Sequence, residues 1–221
     1  MKILLIEDEE AIRTLVADSL RAEFFTVDAV ENGVLGMEQA NLINYDCIVL
    51  DVYLSDMTGI DFASVFRKKK ATPIIVMSVE KDLAIKVKML ELCDDYIVKP
   101  FSTKELVARI RAVLRRGVSG EDKAVIQVGD LILDTKKFIC TRAGSMIELR
   151  NKEFALLEFL MRRSGEVVSR GEILESVWDM NANPMSNTID AHIRLLRKKI
   201  DDSFKVPLIH TVSGRGYKLS E

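Results

Sequence analysis

The sequence is poor in cysteine and in long apolar runs, and each scarcity excludes a class of protein. Only three cysteines occur in 221 residues and none forms a C-x-x-C pair, which excludes a disulfide framework and a cysteine zinc site. The longest apolar runs, such as residues 74–77, are far shorter than the roughly 20 residues that span a bilayer. Met1 is soon followed by four acidic residues, unlike a secretory signal. We therefore expect a cytoplasmic protein with no membrane partner.

The sequence also has little net charge, because 32 lysine and arginine residues face 34 aspartate and glutamate residues. The balance is uneven along the chain. Residues 1–116 carry 16 basic and 19 acidic side chains, whereas residues 117–221 carry 16 and 15. Within Ser186–Ile200 four basic residues face one acidic residue. Such a short basic run is typical either of a solvated helix face or of a nucleic-acid contact.

Residues 1–116 alternate short apolar runs with segments of helical periodicity. The runs are rich in valine and isoleucine and do not alternate with polar residues, as is typical of strands buried on both faces. The five predicted strands are Ile3–Ile6, Thr26–Val30, Cys47–Leu50, Ile74–Met77 and Tyr96–Val98. This repeated β-then-α pattern predicts an α/β domain with a doubly wound, five-stranded parallel sheet and helices on both faces.

The second half has a different organisation, and small, charged residues 117–124 separate it from the first as a predicted linker. Four short predicted strands open residues 125–221: Val125–Val128, Leu131–Leu133, Phe138–Cys140 and Met146–Leu149. Three helical segments and a hairpin follow: Asn151–Met161, Arg170–Val177, Asn187–Ile200, and Leu208–Val212 with Tyr217–Leu219. This order predicts a winged helix-turn-helix α+β domain.

Polar side chains follow four of the strands predicted in the first half. Glu7 and Asp8 follow the first strand, Asp51 the third, Ser78 the fourth and Lys99 the fifth. Because the carboxyl ends of parallel strands meet at one edge, these groups should converge. Adjacent carboxylates repel unless a cation joins them, and Mg²⁺ prefers oxygen ligands, so the set suits phosphoryl transfer to an aspartate. Individually these residues could instead be helix caps, turn residues or surface charges, but their coincidence favours a site.

These residues give the first half a resemblance to the receiver domain of two-component response regulators, which has the CheY- and flavodoxin-like fold. The resemblance rests on Glu7-Asp8, residues 51–59, Ser78 and residues 94–101. The roles that it implies are Asp51 as phospho-acceptor; Glu7 (through water), Asp8, Asp51 and the backbone carbonyl of Tyr53 as Mg²⁺ ligands; Lys99 as partner of the phosphoryl group; and Ser78 and Tyr96 as the switch. Departures from the family at Ser55, Val79, Leu92 and Cys93 bear on the rate and lifetime of phosphorylation.

Receivers of the OmpR/PhoB type dimerise through their fourth helix, fifth strand and fifth helix, and the resemblance implies a homodimer here. The matching charged residues are Glu91, Asp95, Glu105, Arg109 and Arg116, with Lys86 or Lys88 as partners. The alternative is a solvated surface of mixed charge, since an exposed ion pair contributes only about 0–1 kcal/mol.

The second half resembles the winged-helix output domain of the same regulators over nearly its whole length. The resemblance rests on residues 149–157, 165–170, 174–178, 188–198 and 211–217. The residues predicted to contact DNA, in the major groove or from the wing, are Asn187, Thr188, Ala191, His192, Arg194, Arg197, Lys198 and Arg215. His192 is equally compatible with a packed position, and Leu195 and Ser213 depart from the family. The loop Asp179–Met185 is a candidate contact for RNA polymerase.

Together these features predict a DNA-binding response regulator. A sensor histidine kinase would phosphorylate Asp51, and the dimer would bind tandem half-sites in double-stranded DNA. One alternative keeps this architecture but makes regulation independent of phosphorylation. Another is an enzyme with an aspartyl-phosphate intermediate, but such enzymes carry a D-x-D pattern after the first strand, which Glu7-Asp8-Glu9 lacks. No G-x-x-x-x-G-K-[ST] loop is present for nucleotide hydrolysis, so we expect no enzyme.

Overall fold

The computed structural model describes residues 1–79, 91–116, 124–180 and 188–221. The chain divides into two compact units, Met1–Glu121 and Asp122–Glu221. Residues 117–123 of the predicted linker lie outside the described residues. Within the described ranges, no helix has both the length and the apolar character needed to cross a membrane.

The first unit is built on a five-stranded parallel sheet with the strand order β2-β1-β3-β4-β5. Its strands are β1 (Lys2–Ile6), β2 (Thr26–Val30), β3 (Cys47–Asp51), β4 (Ile74–Ser78) and β5 (Asp95–Val98). Its helices are α1 (Glu10–Ala22), α2 (Gly33–Leu42), α3 (Gly59–Phe66) and α4 (Thr103–Arg116). Residues 80–90, on which the predicted fourth helix falls, lie outside the description, so α4 is the helix that follows β5.

Both faces of this sheet are buried, which explains why its strands lack polar alternation. Ile3 and Leu5 of β1 pack in one core together with side chains of α1 and α4. Leu4 and Ile6 point to the opposite face and pack with side chains that include Phe62 of α3. Successive strand residues point to opposite faces, so a sheet covered by helices on both sides needs apolar residues at every position. The predicted doubly wound fold is confirmed.

A buried polar cluster lies at the amino end of β1, opposite the edge predicted to carry the site. Lys2 Nζ lies 3.1 Å from Asp28 Oδ2, and the Tyr45 hydroxyl donates to the same oxygen at 2.6 Å. Lys2 and Asp28 are 4% and 1% exposed, so each charge needs the other in the protein interior. The sequence does not indicate this cluster, because its members are far apart along the chain and belong to no motif.

The second unit contains two antiparallel sheets and three helices. Its strands are β6 (Val125–Val128), β7 (Leu131–Asp134), β8 (Ile139–Arg142), β9 (Ser145–Ile147), β10 (Val167–Val168), β11 (Ile209–Val212) and β12 (Gly216–Leu219). Its helices are α5 (Asn151–Arg162), α6 (Arg170–Val177) and α7 (Thr188–Ile200). The strands β6 to β9 form a four-stranded sheet, and the terminal hairpin is completed by β10 in a three-stranded sheet with the order β10-β12-β11. The winged-helix architecture is thereby confirmed.

The two-residue strand β10 is the element that sequence analysis missed. It pairs antiparallel with β12, and this pairing brings Gly216 against β10. A Cβ atom at Gly216 would lie 2.0 Å from the Val168 carbonyl oxygen, and the Gly216 φ of 144° also favours glycine. The glycine therefore permits the close approach that joins the hairpin to the segment before α6.

Candidate functional site

Three carboxylates converge at the carboxyl edge of the parallel sheet. Glu7 follows β1 directly and Asp51 is the last residue of β3, the strand beside β1. One carboxylate oxygen each of Glu7, Asp8 and Asp51 lies within 4.8 Å of the others. Glu7 and Asp51 are buried, whereas Asp8 is exposed. Because β1 and β3 lead to helices on different faces of the sheet, this is the switch point where α/β folds form ligand sites.

Lys99 supplies the cation of this pocket. Its Nζ donates to Glu7 Oε2 at 2.8 Å and to Asp51 Oδ2 at 2.9 Å, across sequence separations of 92 and 48 residues. Burial raises the pKa of Glu7 to about 7, against the opposing hydrogen bond from Lys99. Burial alone would lower the pKa of Lys99, but its bonds to both carboxylates outweigh burial and raise that pKa. The pocket thus holds an ammonium beside carboxylates that repel one another.

Backbone contacts fix the loops that carry the carboxylates. Arg13 Nη1 on α1 donates to the carbonyl oxygens of Glu7 and Asp8 at 2.8 and 3.0 Å. Asp56, in the loop after β3, accepts hydrogen bonds from the amides of Gly33 and Val34 at 2.9 and 2.8 Å. The first turn of a helix leaves its amides without intrahelical partners, so the Asp56 carboxylate anchors this loop to α2. Sequence analysis missed both anchors, because neither residue ends a strand.

The same loop brings its two ends together through a bridge between Tyr53 and Thr58. Tyr53, whose carbonyl was predicted as a metal ligand, has a half-exposed side chain. A Cβ atom at Gly59 would lie 2.4 Å from the Asp51 carbonyl oxygen, so this close turn requires glycine. Ser55, where the family usually has proline, is exposed in this loop. The loop is therefore shaped by its bridge, its glycine and Asp56.

The predicted switch residues lie on the neighbouring strands. Ser78 ends β4, is 2% exposed, and accepts the backbone amide of Lys99 on its carbonyl at 2.8 Å. Tyr96 on β5 is half-buried and packs against the core on the side of α2 and α3. Val79, which follows Ser78, is exposed. Ser78 thus lies at the carboxyl edge that carries Lys99, whereas Tyr96 lies near the start of β5.

Three of the charged residues predicted for dimerisation, Asp95, Glu105 and Arg109, pair with one another within the chain. Arg109 on α4 donates to both carboxylate oxygens of Asp95 at 3.1 Å and to Glu105 at 2.8 Å. Glu91 is exposed. The side chain of Arg116 and the residues Lys86 and Lys88 lie outside the description. These three charges form a cluster on β5 and α4.

A second candidate site is the exposed face of α7. This helix buries Ile189, Ile193, Leu196 and Ile200 against the core, as its spacing predicts. Ala191, Arg194 and Lys198 consequently face outward and are exposed, and so is Leu195. No ion pair or hydrogen bond connects the Arg194 or Lys198 side chain to another described residue. Asn187 lies outside the described ranges, and Thr188 is the first residue of α7.

Two of the predicted DNA-contacting residues are engaged inside the domain. Arg197 donates to the Ile209 carbonyl at 3.0 Å and to Thr211 Oγ1 at 2.8 Å, which directs its guanidinium toward the terminal hairpin. The His192 ring packs edge-on against Trp178, with centroids 5.1 Å apart, and its Nδ1 lies 2.8 Å from the Thr188 carbonyl oxygen. Of the two interpretations of His192, its contacts favour the packed one.

The terminal hairpin presents its own cation. Strands β11 and β12 are joined by a turn in which Ser213 and Arg215 are exposed. The Arg215 side chain makes no polar contact with the rest of the described chain. Arg215 therefore projects from the wing, while Arg194 and Lys198 project from α7.

Family models match both units. Residues 3–111 match the response regulator receiver domain, and residues 144–219 match the C-terminal domain of transcriptional regulatory proteins. The transcriptional activator protein IrlR of Burkholderia pseudomallei is 46% identical over 99% of this chain and 96% of its own length. The chain belongs to the OmpR/PhoB-type response regulators.

Other relatives of this response regulator agree with the assignment. The transcriptional regulatory protein CusR of Escherichia coli is 42% identical over 99% of this chain and 97% of its own. A crystal structure of a two-component response regulator from Clostridium difficile is 27% identical, covers 54% of this chain and 99% of its own, and superposes with a TM-score of 0.52. The predicted family is therefore confirmed: this response regulator has a receiver domain and an output domain of the DNA-binding, transcription-regulating type.

Proposed function

We propose that this response regulator is a phosphorylation-controlled transcription factor in which Asp51 accepts a phosphoryl group from a sensor histidine kinase. The observation that carries the proposal is the contact of Lys99 Nζ with both Glu7 and Asp51, at 2.8 and 2.9 Å. One Asp51 carboxylate oxygen attacks the phosphorus while the bond to the histidine nitrogen breaks. Lys99 then meets the charge on the transferred group.

The acidic cluster fits Mg²⁺ as the cofactor. Oxygen atoms of three carboxylates lie within 4.8 Å of one another, and hard divalent cations prefer such ligands. Asp8, Asp51 and the carbonyl of Tyr53 would hold the ion directly, with Glu7 acting through water. The bound ion would neutralise charge on the phosphoryl oxygens. Arg13 and Asp56 would keep the two ligand-bearing loops in place through their contacts with the backbone.

Phosphorylation would change the surface next to the pocket. The new acceptor oxygens at Asp51 would draw the Ser78 hydroxyl and Lys99, and Tyr96 would turn inward. The charge cluster of Asp95, Glu105 and Arg109 lies on β5 and α4, directly before and after Lys99 in the chain. We propose that residues of this cluster, with Glu91 and Arg116, exchange partners with a second copy to form the homodimer.

The dimer would bring two output domains to tandem half-sites on double-stranded DNA. Arg194 would read base edges in the major groove, and Lys198 would contact phosphate. The residues bordering that contact would be Asn187, Thr188, Ala191, His192 and Arg197. Arg215 would reach the minor groove or its phosphates. Action on the chromosome would place the protein in the cytoplasm, with RNA polymerase as a further partner through the loop Asp179–Met185, most of which lies outside the described residues.

The proposal is tested by DNA binding with and without a small acyl-phosphate donor. Wild-type protein and Asp51→Asn are compared on DNA selected from a random pool, with Glu38→Gln, an exposed carboxylate on α2, as the control. We expect the donor to increase the affinity of wild type and of the control, and to leave Asp51→Asn unchanged. Identical affinities in all samples would instead support regulation without phosphorylation.

A further inference from the structure

Helix α7, the helix proposed to enter the major groove, shares a cluster of polar side chains with the terminal hairpin, and three of its four members have no place among the proposed DNA contacts. It consists of Arg170, Asp190, Arg197 and Tyr217, which belong to α6, α7, α7 and β12 respectively. We call these residues the wing lock. Sequence analysis singled out only Arg197 among them.

Asp190 is the centre of the wing lock. Its Oδ1 accepts hydrogen bonds from Arg170 Nε at 3.1 Å and from the Tyr217 hydroxyl. The Arg170 guanidinium also donates to the Tyr217 hydroxyl at 3.2 Å. The hydrogen bond from Tyr217 is the main cause that lowers the pKa of Asp190, so this acceptor is charged at neutral pH. The first turn of α7 is thus bonded to the wing strand β12.

Two guanidinium groups lie near the Tyr217 ring. The guanidinium carbon of Arg170 lies 5.0 Å from the ring centroid, and that of Arg197 lies 5.9 Å from it. Both distances are within the range of cation–π attraction. Arg197 is seven residues after Asp190, two helical turns along the same side of α7, and it also bonds to β11. The wing is therefore fastened to α7 at two levels.

From this geometry we infer that the Asp190–Tyr217 hydrogen bond is a positioning device for DNA binding, which fixes the wing relative to the recognition helix. The inference rests on the proposed function. Tyr217 is 3% exposed, and Arg215 is only two residues before it in the turn. Fixing Tyr217 therefore limits where Arg215 can go, so that Arg215 and Arg194 engage adjacent grooves together. Such preorganisation increases affinity because less conformational freedom is lost on binding.

A double-mutant cycle separates positioning from general stability. Tyr217→Phe removes only the hydroxyl and keeps the ring beside both arginines. Arg215→Ala removes the side chain that would be positioned. Phosphorylated full-length variants are titrated against double-stranded DNA selected from a random pool by the wild type. Hydroxyl-radical footprints on the same DNA report the minor-groove protection that the wing would give.

We expect Tyr217→Phe to weaken DNA binding by about tenfold, the equivalent of one lost charge-assisted hydrogen bond. In the Arg215→Ala background the same substitution should have no further effect, and in the wild-type background it should erase the wing protection. Cys140→Ala, which shrinks a buried side chain in the four-stranded sheet, is the control for lost stability and should keep full affinity.

Equal losses from Tyr217→Phe in both backgrounds, or no loss in the wild-type background, would overturn the inference. An Arg215→Ala variant with unchanged affinity would also overturn it, because there would be no wing contact to position. Failure of the wild type to select any DNA sequence would instead count against the proposed function itself.

Discussion

The two candidate sites handle charge in opposite ways. In the receiver pocket, Glu7 and Asp51 are buried and already share Lys99 at 2.8 and 2.9 Å. On α7, Arg194 and Lys198 are exposed and contact no charged partner among the described residues. In a buried network each charge is balanced by its neighbours, so an added charge must change the positions of those side chains. Exposed cations have no such partners to give up when they meet an anionic surface such as DNA. One chain thus carries a buried set of paired charges in its first unit and exposed, unpaired cations on α7 in its second.

The largest expected effect is at the pocket, from replacing Lys99 with the uncharged Met. Because the Met side chain carries no positive charge to stabilise the incoming phosphoryl group, we expect phosphorylation of Asp51 to slow by about 100-fold. The rate is measured by intact-protein mass spectrometry with an acyl-phosphate donor and Mg²⁺. Lys69→Met, an exposed lysine of the same domain, is the matched control. An unaltered phosphorylation rate in Lys99→Met would mean that phosphorylation of Asp51 does not require the Lys99 ammonium.

The second prediction concerns the exposed face. Arg194→Ala should reduce affinity for the selected DNA by about 10- to 100-fold, the range for one lost side-chain contact to a base. The loss should shrink toward none on DNA whose contacted base pair has been changed. Because Arg194 has no polar contact with the rest of the described domain, the melting temperature should stay the same. A lower melting temperature in Arg194→Ala would contradict this prediction, because Arg194 would then contribute to the stability of the domain.

These two sites also differ in how far the sequence predicts them. The apolar spacing of α7 predicted its buried residues, and hence its exposed ones, because a helix repeats locally. The pocket required the strand order as well, since Lys99 and Glu7 are 92 residues apart. Only the rule that parallel strands end at one edge brought them together. Charged residues outside such rules, such as Asp190 and Asp56, gave no signal, because tertiary packing brings their partners to them from distant elements.

The third prediction distinguishes the roles of Arg194 and Lys198, the two basic residues of α7 that are exposed. Lys198→Ala should weaken binding to all DNA sequences alike and reduce the slope of log affinity against log salt by about 1, as expected for one lost phosphate contact. Arg194→Ala, by contrast, should relax sequence preference. The measurement is a salt titration with specific and random duplexes, with Lys136→Ala on the β7–β8 turn as the control. A sequence-dependent loss in Lys198→Ala would assign base reading to both residues.

The smallest effect is expected on the buried side of α7. There Lys199 pairs with the buried carboxylate of Glu153, as Lys99 pairs with Glu7 and Asp51 in the receiver pocket. Glu153 on α5 is buried, and its Oε2 accepts from Lys199 Nζ on α7 and from the Arg150 amide, both at 2.7 Å. Burial acts to raise the pKa of Glu153, but these hydrogen bonds outweigh it and lower that pKa below 4.5. The folded state therefore holds this proton less tightly than the unfolded state does. The resulting stability is present above pH 4.5 and is lost as the pH falls through the lowered value.

Glu153→Gln should accordingly cost about 1–2 kcal/mol of unfolding free energy at pH 7, and the difference from wild type should shrink as the pH falls below 4.5. Trp178 is the only tryptophan and lies in this domain, so its fluorescence reports the unfolding of the output half. Glu148→Gln, an exposed carboxylate nearby, should follow wild type at every pH. If Glu153→Gln kept the full acid sensitivity, the Glu153–Lys199 pair would contribute no more to stability than an exposed ion pair does.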